Sequence, residues 1–314
     1  MENLTIFVSS RGLLKSCSCH NRMPVSSNEA IDHDLLICRP KGGYTIYVCT
    51  EAIPNFSSNF LKNITWPFVL VTGDSDITID ESFLKSPSVI NVLLNKNLIF
   101  WYAQNLSIMH PKMGHLPIGL DYHTMNEKPG MWGLRSIVPI VQEHMLLTTL
   151  ANSPGPDRRH LLCYCNWNFS TNRGDRVKCL KLLDKSVCYF EETRIPRQST
   201  WARQAEFKFV ISPGGGGIDC HRTWEALVLG CIPIVKRNLL ENIFIKLPVL
   251  VVDSWDQINA NVLLDYLQSI KQKKFNFNLL FREYWVQRLN GNSKNIIPDM
   301  TFDEFRLMLT QQTF

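Results

Sequence analysis

Phe207–Lys236 reads FKFVISPGGGGIDCHRTWEALVLGCIPIVK, and this stretch decides the fold. Phe207–Ser212 is an apolar run closed by a glycine cluster, the pattern of a buried strand. Gly214–Gly217 lack a Cβ, so the backbone there is free to take positive φ and to approach a ligand closely. Asp219 is placed to cap the helix that follows. Trp224, Ala226, Leu227 and Leu229 give that helix its apolar surface. Gly230 ends it, and Cys231–Val235 is a second buried strand.

A glycine loop feeding a helix N-terminus is an anion site, because unpaired N–H groups and the helix dipole converge there. Arg222 lies in the first turn, where a guanidinium can fork onto a phosphate. Glu225 follows one turn later on nearly the same face and can accept hydrogen bonds from a ribose diol. His221 either touches phosphate or caps the loop. The same residues also read more plainly, as a loose turn followed by a solvated Arg–Glu helix pair. The order strand, PGGGG, DCHR, WEAL, GCIPIV favours a nucleotide diphosphate. It is neither G-x-G-x-x-G nor a P-loop with its Lys-Ser/Thr.

The stretch SPGGGGIDCHRTWEALVLGCIPIV resembles the sugar-nucleotide motif of exostosin-like (family 47) glycosyltransferases, including related soluble enzymes encoded by large DNA viruses. A weaker similarity reaches fucosyltransferases of the two-Rossmann (GT-B) type. The strong match covers Phe207–Lys236. Fainter echoes lie at Trp101–Lys112, Leu116–Thr124 and Cys165–Arg176. The resemblance implies two Rossmann-like α/β domains facing a cleft, with Arg222 at the diphosphate and Glu225 at the ribose. It also implies transfer with inversion from a nucleotide-diphosphate sugar to a glycan hydroxyl.

The chain has 314 residues, 45% of them hydrophobic and 19% charged, enough for two domains of ordinary size. A net charge of +5 and a pI near 8.6 suit an anionic small substrate. The charge is too diffuse for nucleic acid, and no RNA-binding signature is visible. No run reaches the length of a membrane span. MENLTIFVSSRGLLKS lacks a secretory pattern, so the expected location is cytoplasmic, the host cytoplasm for a viral chain. The ten cysteines are irregularly spaced and read as reduced thiols. Cys17-Ser-Cys19-His20 has no second ligand pair. Sequons at Asn63, Asn105 and Asn168 leave a lumenal location open.

Outward from the motif, the second half reads as alternating strands and helices. Strands are expected at Arg159–Asn166, Val187–Phe190 and Leu247–Val252. Helices are expected at Arg176–Leu183, Ile195–Ala205 and Trp255–Lys271, with closing helices at Phe275–Leu289 and Thr301–Thr310. This is the pattern of a parallel sheet covered on both faces. The first half has strands at Tyr44–Thr50, Pro67–Thr72 and Leu116–Leu120, with a weaker one at Asp32–Cys38. Further short strands are expected at Ser88–Leu94 and Leu98–Trp101. Met125–Pro156, rich in proline and glycine around an expected helix Ile140–Leu150, reads as the connection. The domains are therefore set at 1–150, the acceptor side, and 151–314, the nucleotide-sugar side.

Asp74 and Asp76 follow a buried strand. They are turn caps, or one is the base that deprotonates an acceptor hydroxyl, or together they hold a divalent cation as D-x-D does in GT-A transferases. The base reading is preferred, with Asp74 first and Asp121 as its rival. The phosphate apparatus already has an address at Pro213–Glu225, so no divalent metal or other cofactor is expected. His110 and His123 sit in loops near the cleft and read as structural. Arg173, ahead of Arg176, is the choice for a second phosphate contact. Trp167, Trp201, Trp224 and Trp255 read as core. The donor is expected to be a UDP-sugar before GDP-fucose, and Arg222 stabilises the leaving diphosphate. The alternatives are a sugar-nucleotide or glycan-binding protein without catalysis, and a metal-dependent GT-A enzyme using Asp74 and Asp76.

Overall fold

Apolar runs separated by helices fold into two parallel sheets, making the chain mixed α/β. The computed structural model describes residues 1–35, 44–132, 135–169 and 172–311. The first sheet holds β1 (Thr45–Cys49), β2 (Phe68–Gly73), β3 (Leu98–Ala103) and β4 (Met113–His115), in that spatial order. The second holds β5 (His160–Cys165), β6 (Cys188–Phe190), β7 (Phe207–Ile211), β8 (Ile232–Lys236) and β9 (Leu250–Val252), in the order β6-β5-β7-β8-β9.

Side chains alternate between the faces of a strand, and the first sheet uses both faces. Ile46, Val48, Phe68 and Leu70 pack into one cluster with Phe56, Val89 and Trp101. Tyr47 and Val71 point the other way, into a larger cluster that also contains the second sheet. Phe7, Val8 and Leu13 belong to that larger cluster. Val8 N–H donates to Leu280 O at 2.8 Å, and Arg282 N–H to Ile6 O at 2.9 Å. The buried Glu143 carboxylate, its pKa raised by burial, accepts the N–H groups of Ile6 and Phe7. The first residues of the chain are thus clipped to the helices Arg282–Leu289 and Pro139–Asn152.

The second half follows the expected alternation. Helices Arg176–Leu182, Arg197–Gln204, His221–Val228 and Glu241–Phe244 separate the strands, and Ala260–Ile270, Arg282–Leu289 and Phe302–Gln311 follow the last of them. The first half departs from expectation in three places. Ser88–Leu94 lies in a helix, Pro87–Leu94, whose buried Val89 and Val92 face the sheet at helical spacing. Leu116–Leu120 is not a strand of the sheet: β4 ends at His115, and the following segment is held by Leu120 N–H on Val8 O. Gly119 is required there at φ +64, because a side chain would meet Val8 O. The strand expected at Asp32–Cys38 lies partly outside the described residues, and its described part is a turn.

The two sheets differ in winding. The first runs through its strands in sequence. The second starts at β5, moves to β6 on one side, then crosses back to β7 on the other. Loops leaving neighbouring strands in opposite directions open a crevice at their carboxyl ends. That crevice lies between the loop after β5 and the glycine loop after β7.

Candidate functional site

The glycine loop is shaped by what packs against it. None of Gly214–Gly217 has positive φ, contrary to the sequence expectation. Three of them are needed for close approach instead. A Cβ on Gly215 would lie 2.7 Å from Arg176 Nη2, and one on Gly217 would lie 2.5 Å from the Asn105 amide. A Cβ on Gly216 would collide with the Asp76 carboxylate. Positive φ occurs at Gly174, in the loop after β5, where a side chain would strike the carbonyls of Gly214 and Gly215. The two loops therefore pack backbone against backbone.

Asp219 does not cap the following helix. The N-cap is Cys220, which makes no side-chain cap bond. Asp219 turns back, accepting Ile118 N–H at 2.9 Å and Trp224 Nε1–H at 2.9 Å. Burial pushes its pKa up to about 6, against the pull of these donors. Its own N–H donates to Asn105 Oδ1 at 3.0 Å, while Asn105 Nδ2 donates to Ser75 O at 3.0 Å. Asn105 is thus buried and joins the β2 loop to the motif, so its sequon is inaccessible in the folded chain.

Two arginines flank the loop without carboxylate partners. Arg222 Nε donates to Asn166 O at 2.8 Å, and its guanidinium lies 5.9 Å from the Trp167 ring centroid. Arg222 Nη1 and Arg176 Nε are buried and have no hydrogen-bond partner among the described residues. Burial, with the charge of Arg176 nearby, lowers the Arg222 pKa. Arg173 lies further out, two-thirds exposed and 3.9 Å from Asp76. The structure therefore sets Arg176, not Arg173, against the glycine loop.

Glu225 faces elsewhere. It is buried and paired with Arg197. Arg197 Nη1 also donates to Asp121 Oδ2 at 3.2 Å. Asp121 follows no strand; it caps the helix Tyr122–Glu127, accepting Thr124 N–H at 3.0 Å. Burial alone would raise the Asp121 pKa. Arg197, His221, His123 and that N–H together hold it far below the usual carboxylate range. His123 Nδ1 lies 3.2 Å from Asp121 Oδ1, and the His123 and His221 rings are 6.3 Å apart. His221 Nδ1–H donates to Gly119 O at 2.7 Å, so this histidine ties the motif to the segment after β4. His110 accepts Lys112 N–H within its own turn.

Asp74 is also closed off. It is buried, in the left-handed region at φ +57, a conformation aspartate tolerates better than most residues. Its Oδ2 lies 2.9 Å from Arg11 Nε, and its Oδ1 accepts Ser26 Oγ–H at 2.8 Å. Asp76, two residues on, is exposed and rests on Gly216. The two carboxylates therefore share no partner. Among the described residues, no three His, Cys, Asp or Glu side chains are grouped for a metal ion.

A cavity of about 390 Å³ opens over the carboxyl ends of β7 and β8. Its walls include Gly214–Gly217, Gly174, Thr223, Lys236 and, from the first half, Thr78. This volume is in the range of small-ligand pockets. Glu225, Arg176 and Arg222 are not among its lining residues; Lys236, absent from the sequence expectations, is, with its ammonium 3.6 Å from Asp175. Of the expected site residues, the four glycines line the cavity and Asp76 rests on Gly216, with the exposed Arg173 beyond Asp76. Asp74, Asp121, His221 and Glu225 form a second, buried group. Arg197, which links Asp121 to Glu225, was missed. It lies 76 and 28 residues from these partners, and no local pattern marks it. The four tryptophans are buried as expected. The described cysteines are free thiols. No helix among the described residues is long and apolar enough to cross a membrane. No protein-family model matches the chain, and no curated protein matches it.

Proposed function

We propose that the chain is a glycosyltransferase of the GT-B type, similar to the exostosin-like family, which takes a sugar from a nucleotide diphosphate. The observation that carries this reading is the pair Arg176 and Arg222. Two neighbouring guanidinium groups, each with a buried donor unmatched, are costly without an anion. They sit where the strand order of the second sheet reverses, with Arg176 packed against the glycine loop at Gly215. A diphosphate there satisfies both guanidiniums and neutralises their repulsion.

In the reaction, an acceptor hydroxyl loses its proton and its oxygen bonds to the anomeric carbon. The bond from that carbon to the diphosphate breaks with its electron pair. The charge growing on the diphosphate is where fixed donors lower the barrier. Arg176, Arg222 and Lys236 are those donors. The ribose role for Glu225 is given up, since its carboxylate is spent on Arg197. A UDP-sugar remains the preferred donor, ahead of GDP-fucose, with a glycan hydroxyl as acceptor and no metal needed to hold the diphosphate.

The test is nucleotide release from a panel of UDP- and GDP-sugars, with and without EDTA. Release that survives EDTA and is lost in Arg222→Ala supports the reading. Nucleotide binding without release, across varied sugar acceptors, would instead make the chain a binding protein.

A further inference from the structure

We infer that the base for the acceptor hydroxyl is His123, oriented by Asp121, and not a carboxylate. The inference rests on the transferase reading above and assigns the residue that reading leaves open. Both carboxylates expected to serve are occupied: Asp74 by Arg11 and Ser26, Asp121 by Arg197 and Thr124 N–H.

The geometry fixes the imidazole. Asp121 is ionised and can only accept hydrogen bonds. Its Oδ1 lies 3.2 Å from His123 Nδ1, so the ring proton sits on Nδ1. In the neutral imidazole this leaves the lone pair on Nε2. Ser26 Oγ lies 3.5 Å from Nε2, beyond a strong hydrogen bond. Ser26 is not the nucleophile of a triad. Its proton goes to Asp74 Oδ1 at 2.8 Å, and its oxygen accepts Arg11 Nη2–H at 3.2 Å. Nε2 is thus an acceptor with no close donor among the described residues, in a ring whose centroid lies 6.3 Å from that of His221 in the motif.

The step balances. The acceptor hydroxyl gives its proton to Nε2 as its oxygen attacks the anomeric carbon. The leaving diphosphate takes the electron pair of the broken bond and is held by Arg176 and Arg222. The imidazolium is stabilised by Asp121 and returns its proton to water. His123 is the catalytic residue, and Asp121 is a positioning residue.

The charged and titratable groups facing His123 are Asp121, Asp74, His221 and Arg11. Burial, the largest influence, lowers its pKa from 6.5, while the two aspartates oppose this. A base must be neutral, so activity should fall as pH drops through that lowered value and hold above it.

The experiment compares wild type with His123→Ala, His123→Gln and Asp121→Asn. UDP and GDP binding is measured by calorimetry. Nucleotide release is measured from UDP-glucose, UDP-galactose, UDP-N-acetylglucosamine, UDP-xylose and GDP-fucose, with water and then methyl glycosides as acceptor. Both His123 variants should bind nucleotide within about twofold of wild type and release it about 10²–10⁴-fold more slowly. Imidazole in the buffer should restore part of the rate to His123→Ala. The acid limb of the rate profile should vanish in that variant. Asp121→Asn should move the limb to lower pH, because a charge that favours imidazolium is gone. Near-normal release from both folded His123 variants overturns the assignment and leaves the transferase reading standing. Loss of nucleotide binding along with release overturns it as well, since His123 would then shape the site. No release by wild type from any donor removes the transferase reading, and the base with it.

Discussion

Two groups of arginines lie near the same crevice and are built on opposite terms. In one, every guanidinium has a carboxylate: Arg11 with Asp74, and Arg197 with both Asp121 and Glu225. In the other, Arg176 and Arg222 lie near enough to repel and form no ion pair among the described residues. The closed group joins elements far apart in sequence. Arg11 lies near the start of the chain and Asp74 just after β2, while Arg197 starts the helix before β7 and Asp121 caps the helix Tyr122–Glu127. The open group joins only the two loops of the crevice. Charges matched internally hold an architecture together, and charges left unmatched at a loop are kept for something that arrives.

The largest expected effect falls on the closed group. Arg197→Met leaves Asp121 and Glu225 buried without their cation. Breaking a buried pair in this way costs about 3–5 kcal/mol, read from urea unfolding. A variant within about 1 kcal/mol of wild type would mean the group is not structural. The pH dependence sharpens the point. Asp121 has its folded pKa depressed by Arg197 and its neighbours. Such a carboxyl adds stability above its unfolded pKa and loses it as pH falls toward the folded one. Wild-type stability should therefore decline from about pH 5 downward. In Arg197→Met the decline should be shallower, because the main depressing charge is gone. An unchanged slope would mean Arg197 does not set the Asp121 charge.

The open group should respond with the opposite sign. Arg222→Ala and Arg176→Ala remove a cation that has no carboxylate partner among the described residues and that its neighbour repels. Stability without nucleotide should hold or rise slightly. Nucleotide affinity should fall roughly tenfold or more in each, since a hydrogen bond to a charged group is worth about 1.5–3 kcal/mol. Calorimetry with UDP and GDP, beside unfolding in phosphate-free buffer, separates the two. If either variant lost stability as Arg197→Met does, the contrast between closed and open groups would collapse. Arg222→Lys should not restore affinity, because a point charge cannot reproduce the fork.

The contrast also marks how far the sequence can be read. The strand, loop, helix and strand at Phe207–Lys236 were legible because apolar runs and glycines are local signals. The rest of the second half followed for the same reason. Leu116–Leu120 misled because its apolar residues serve as a seam: Leu116 and Leu120 are buried against the amino-terminal segment, not in a sheet. The four glycines were legible as a loop, but their purpose was not. They make room for Arg176, Asp76 and Asn105, and only the fold brings those side chains to them. Asp74 and Asp121 looked available because nothing in the sequence shows that Arg11 and Arg197 reach them. Asp121-Tyr-His123 was the one local clue to a histidine held by a carboxylate, and its spacing alone is too common to separate from a structural pair.

The smallest effect belongs to Asp76, which sits on the boundary between the two groups. It is two-thirds exposed, and Arg173 is 3.9 Å away, so that pair should contribute under about 1 kcal/mol. Asp76→Asn should leave unfolding unchanged. Its carboxylate nevertheless rests against Gly216, beside the loop where a diphosphate would lie. A negative charge there repels phosphate, though water at the exposed position screens it. Removing the charge while keeping the shape should therefore tighten UDP binding by a few-fold, about 1 kcal/mol or less, and more clearly at low salt. The effect should be the same with and without EDTA. If Asp76→Asn instead weakened binding, and EDTA weakened wild type to match, Asp76 would be holding a cation against the diphosphate. The open group would then be incomplete without a metal ion, and the D-x-D reading of Asp74-Ser75-Asp76 would return through Asp76 alone, since Arg11 keeps Asp74.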